Sequence, residues 1–94
     1  MLFGIVIGSV WSTRKQDRLT GAKLMVVKPV NLQDISMQNL PIVAVDTIGA
    51  GIGETVLVVT GSSARKAVGN ADAPVDAAIV GIVDDKELDD RYIW

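Results

Sequence analysis

Five short apolar segments run along the chain, each closed off by Gly, Pro, Asp or Ser. The first, residues 2–11, alternates loosely, with Phe3, Ile5 and Ile7 on one side and Val6, Gly8 and Val10 on the other. Residues 23–30 carry Leu24, Met25, Val26 and Val27, and residues 41–47 carry Ile42 to Val45. Residues 54–60 and 76–84 hold the runs Val56 to Val59 and Ala77 to Val83. Short, β-branched, turn-bounded runs of this kind predict strands. Pro29 and Pro41 fall near strand ends, where a missing N–H is tolerated. Between the fourth and fifth segments, Gly61 to Val68 predicts a short helix, with Ser62 or Ser63 as its N-cap. Residues 12–21 and 31–40 predict polar loops, 47–53 a glycine-rich loop and 70–74 a turn. With no repeat and no linker, residues 1–94 predict one domain, its core at about 1–84 and an acidic tail at 85–94.

The fourth and fifth runs are apolar on both faces. In a large α/β protein helices would cover both sides of such strands. This chain is 94 residues long, too short for that, yet it is 49% hydrophobic with 14 Val and 9 Ile. A domain of this size buries roughly 60–65% of its unfolded surface. The pattern therefore predicts an all-β, closed barrel whose outer face is covered by partner subunits. A monomer with an apolar surface is the plainer alternative. No run approaches the roughly 18 residues a spanning helix needs, so no membrane partner is expected. Residues 1–13 lack the basic start of a signal peptide and read as the first strand, which makes a cytoplasmic location the default expectation.

Charge and chemistry narrow the function further. The chain has no His and no Cys. A Ser-His-Asp set, a typical zinc site and a disulfide framework are all out of reach. No catalytic residue, cofactor or metal is expected. Lys and Arg number 9 against 11 acids, and aromatics make up 4%. Both figures weigh against nucleic acid, which needs phosphate neutralisation and stacking surfaces. The cluster Arg14, Lys15, Arg18 and Lys23 reads as a solvated loop or a contact with the acidic tail. Gly49-Ala50-Gly51-Ile52-Gly53 lacks the spacing and the following helix of a dinucleotide loop, so a tight glycine turn is the simpler reading. Ser63 to Lys66 and Ser12 to Lys15 both match S-x-x-K, and two matches in so short a chain show how little that pattern specifies. Asp46 and Asp76 read as lone carboxylates at strand ends.

Four ordered stretches carry a resemblance. They are Gly8 to Lys15 with Leu19 to Leu24, then Val43 to Leu57, then Gly61 to Arg65, and finally Pro74 to Asp84. Together they closely resemble the EutN/CcmL family, the pentameric vertex proteins of bacterial microcompartment shells. The resemblance implies a five-stranded, OB-like closed barrel with one short helix, assembled as a cyclic homopentamer, with a six-membered ring as the second option. It implies a non-enzymatic protein of the bacterial microcompartment shell, of carboxysome or metabolosome type. Hexameric shell proteins tile the facets there and pentamers close the five-fold corners. It also places Gly49, Ala50, Gly51, Gly53 and Glu54 at a tight contact with a neighbouring tile or around the central axis. Ser62, Ser63 and Arg65 follow as interface candidates, Arg65 as a structural donor. Thr13, Arg14, Lys15 and Asp46 are secondary candidates. An OB-fold module binding single-stranded nucleic acid would share the fold and is the functional alternative.

Overall fold

The computed structural model describes residues 1–10, 23–30, 40–69 and 73–84. Its elements are β1 (Leu2–Val10), β2 (Leu24–Pro29), β3 (Ile42–Asp46), β4 (Thr55–Thr60), α1 (Gly61–Ala67) and β5 (Ala77–Ile82). Each of the five strands lies within one of the five apolar segments. The acidic tail from residue 85, the turn residues 70–72 and the loops 11–22 and 31–39 lie outside the described residues.

The strands close into a barrel in the order β1-β2-β3-β5-β4. All pairings are antiparallel except β3 with β5, which run parallel through Val45–Ala78 and Asp46–Ile79. This is the five-stranded, OB-like closure. β1 pairs with both β2 and β4, and its register with β2 shifts between Val6 and Gly8. Such a bulge bends the strand and sharpens its twist, which helps a nine-residue strand serve two neighbours. At Gly4 the wall leaves no room for a side chain. A Cβ there would overlap the Val27 side chain and come within 3.3 Å of the Lys28 carbonyl oxygen.

Two apolar layers result. Inside the barrel, Val6, Met25, Val27, Ala44, Val56, Val58 and Ile79 pack together, joined by Ala50 from the glycine-rich loop. The second layer lies outside the wall, where Val45, Val59 and Ala78 meet Ala64 of α1 and the Ala73–Val75 segment. This corrects the expectation that only partner subunits cover the outer faces. One seven-residue helix covers part of β4 and β5, because fully buried Ala64 lets its backbone approach closely. Apolar side chains still exposed include Ile7, Val43, Ile48 and Ile52.

The N-cap expectation is also corrected. The helix starts at Gly61, with extended Thr60 as its N-cap and no side-chain capping bond. Gly61 takes a φ of 62° and turns the chain straight from β4 into the helix. Ser62 and Ser63 therefore fall inside the first turn, past the position from which a hydroxyl caps.

Candidate functional site

The glycine-rich loop between β3 and β4 gathers Asp46, Gly49, Ala50, Gly51, Gly53 and Glu54 into one structure. Its organising group is Asp46, the last residue of β3, whose side chain is 0% exposed. Asp46 Oδ1 accepts hydrogen bonds from the N–H groups of Ile48 and Gly49, both at 3.0 Å. Oδ2 accepts from Ala50 N–H at 2.8 Å. Lys23 closes the arrangement. Its Nζ lies 3.5 Å from Oδ2 and donates to the Ala50 carbonyl at 3.3 Å. Further along the loop, Glu54 Oε1 accepts from Gly51 N–H.

The rest of the loop is tied to the barrel. Gly53 N–H donates to the Val6 carbonyl at 2.8 Å, and Val6 N–H donates to the Glu54 carbonyl at 3.0 Å. Glu54 N–H turns back to the Gly51 carbonyl, and Thr47 donates to the Ile79 carbonyl through both N–H and hydroxyl. Gly49 and Gly53 have φ of 82° and 92°, a region that costs other residues roughly 1–2 kcal/mol. Gly51 has no positive φ. Its demand is spatial, since a Cβ would sit 3.2 Å from Glu54 Oε1.

Two readings of single residues change here. Asp46 is not a lone carboxylate but the acceptor for three consecutive amides and an ammonium. Lys23 belongs to this loop rather than to a solvated basic cluster. The signal available in the sequence was Asp46 placed two to four residues before a Gly-rich turn, where a short carboxylate bonds its own downstream backbone. Nothing in the sequence linked Lys23, which is 23 positions away. The loop also shows why it makes no phosphate cradle. A nest binds anions with free N–H groups, and here these are already turned onto carboxylates.

The second motif lies beyond the other end of β4, about 17 Å along a six-residue strand. Ser62 and Ser63 are exposed on α1. Arg65, half-buried, donates from Nη1 to the Val75 carbonyl at 3.3 Å and ties the helix to the lead-in of β5. Thr13, Arg14 and Lys15 lie outside the described residues. Among the described residues no three His, Cys, Asp or Glu come together as metal ligands. Phe3, on β1, is the one aromatic among the described residues.

Comparison with known proteins matches residues 1–84 to the model of the EutN/CcmL family, described as ethanolamine utilisation protein EutN/carboxysome. The chain is 49% identical over 90 residues to the bacterial microcompartment shell vertex protein GrpN of Rhodospirillum rubrum, spanning 93% of this chain and 97% of that one. The solved structure of that GrpN, a pentameric microcompartment shell protein, superposes with a TM-score of 0.81, covering 94% of this chain and 100% of its own. The carboxysome shell vertex protein CcmL of Nostoc sp. is 40% identical over 89 residues, 95% of this chain and 88% of its own. A solved ethanolamine utilization protein, EutN, reaches a TM-score of 0.87 at 37% identity, covering 100% of this chain and 97% of its own.

Proposed function

The chain belongs to the EutN/CcmL family, and from that premise we propose that it is a vertex subunit of a bacterial microcompartment shell. Five copies form a ring that caps a five-fold corner, in contact with hexameric shell proteins of the facets. The observation that carries this reading is the near end-to-end match to GrpN, a shell vertex protein whose structure is pentameric. The barrel agrees with it in physical terms. Ile7, Val43, Ile48 and Ile52 leave apolar surface to be covered, and head-to-tail contacts that close on themselves give cyclic rings. The role is structural and the location is the shell in the cytoplasm.

Within this role, the loop from Gly49 to Glu54 is a contact surface to a neighbouring subunit. Arg65 acts as a structural donor that holds α1 in place. Native mass spectrometry of the purified protein tests the reading: a dominant mass of five chains is expected. Co-expression with hexameric shell proteins should then give closed particles that stay open when this chain is left out. A clean monomer, or closure without it, overturns the reading. For the single-stranded nucleic-acid alternative, no shift of labelled single-stranded DNA is expected at low salt.

A further inference from the structure

The shortest pairing in the barrel joins β3 to β5, with two residue pairs against four or more at every other seam. Ile42, Val43 and Ala44 pair with β2 or with nothing, since β5 meets β3 only at Val45 and Asp46. Asp46 N–H donates to the Lys23 carbonyl and Thr47 N–H to that of Ile79. Alternation along the strand therefore turns the N–H and C=O of Val43 toward β5, where no strand partner meets them among the described residues. A hollow of about 220 Å³ opens there, lined by Leu24, Val43, Val45, Pro74 and Val75, with exposed Asp76 beside them. It continues past Ile42 and Thr60 as a more open hollow of about 600 Å³. Val43, common to both, is 49% exposed. The groove thus offers apolar walls, a stretch of unpaired strand edge and one carboxylate, which has no ion pair among the described residues.

One stretch of this chain has the matching chemistry. Residues 85–94 follow Asp84 and include Arg91-Tyr92-Ile93-Trp94, one cation and three large apolar side chains. We propose that the segment Arg91 to Trp94 of one copy docks in the β3–β5 groove of the next copy in the ring. The inference deepens the vertex reading and rests on its ring. An extended segment adds to an unpaired strand edge through its backbone, and its side chains fill the pockets alongside. Arg91 then pairs with Asp76, while Tyr92, Ile93 and Trp94 cover the apolar walls.

The fold decides between a chain's own groove and its neighbour's. The chain leaves β5 beside Thr55, whose carbonyl accepts from Val83 N–H, whereas the groove lies at the opposite end, at Asp76 and Ala77. The eight extended steps from Asp76 to Asp84 span about 26 Å. The seven from Asp84 to Arg91 reach at most about 25 Å. A return to the same groove would need the segment fully stretched along β5, whose edges are held by β3 and β4 and whose outer face carries α1. A neighbouring copy removes that constraint. Because the giving end and the receiving groove are different surfaces, each copy gives one segment and takes one, and such head-to-tail contacts close into a ring.

The chain has no cysteine, so a disulfide trap in the full-length protein has no background. With Val43→Cys and Ile93→Cys together, mild oxidation should give a ladder of covalent oligomers up to five chains under denaturing conditions. Neither single variant should pass two chains. Intact rings without the ladder, or with the bond closed inside single chains, overturn the docking and leave the ring standing. A wild-type protein that is monomeric by native mass overturns the ring and the docking with it. Charge exchange gives a second readout. Arg91→Glu and Asp76→Lys should each raise the concentration at which rings dissociate about two- to fivefold, the scale of one exposed ion pair, and the double variant should recover most of the loss. Single variants that dissociate like wild type, or a double variant that recovers nothing, overturn the pairing of Arg91 with Asp76.

Discussion

Gly51 shows how a single residue can matter without unusual backbone geometry. Its neighbours Gly49 and Gly53 need the left-handed region, while Gly51 needs room beside Glu54. A valine there would press on Oε1 and dislodge the bond from its own N–H. The expected cost to stability is about 1–2 kcal/mol, the scale of one charge-assisted bond in a half-buried site. The expected functional effect is larger, because the loop's outward shape changes. Gly51→Val should keep the five-chain mass and lose most of the yield of closed shells when co-expressed with hexameric partners. Wild-type yield of closed shells would remove the contact role. The Asp46 carboxylate stands beside this as the residue whose importance comes from number rather than strength: one side chain holds three successive amides and an ammonium.

Among the elements, α1 has the most to do for its size. With seven residues and no side-chain cap it would not persist alone in water. It is held by Ala64, which packs towards β4 and β5 in one cluster with Val59 and Ala78, and by the Arg65 bond to the Val75 carbonyl. Removing that bond should loosen the helix against the lead-in to β5. Arg65→Ala should cost about 1 kcal/mol, seen as a fall of roughly 4–8 °C in Tm at fixed protein concentration. An unchanged Tm, with an unchanged ring mass, would mean the contact is incidental.

For the whole molecule, the decisive quantity is apolar surface that one barrel leaves uncovered. The outer wall is only partly shielded by α1, and Ile7, Val43, Ile48 and Ile52 remain exposed. A ring that buries such surface binds its stability to protomer concentration. Thermal unfolding should accordingly shift upward as concentration rises across a hundredfold range. A Tm independent of concentration would mean that the barrel is stable by itself and that association adds little.

Much of this was legible in the residues. The five runs specify strands through their short length, their β-branched residues and the turn formers that bound them, since a continuous apolar run is not assigned by periodicity alone. Barrel closure followed from two-faced strands in a chain too short for covering helices, and the ordered glycine and Gly-Ser-Ser-Ala-Arg motifs pointed to the family. Other features were settled only in three dimensions. Whether Ser62, Ser63 or an earlier residue starts the helix depended on Gly61 turning at positive φ, which no local preference for serine reveals. The division of the apolar surface between helix and partners depended on how closely Ala64 lets α1 approach. The pairing of Lys23 with Asp46 joins positions that are distant in sequence and meet only because β2 and β3 are neighbours in the barrel. Local composition determines what a segment can become; which charges and faces meet is decided by the closure of the sheet.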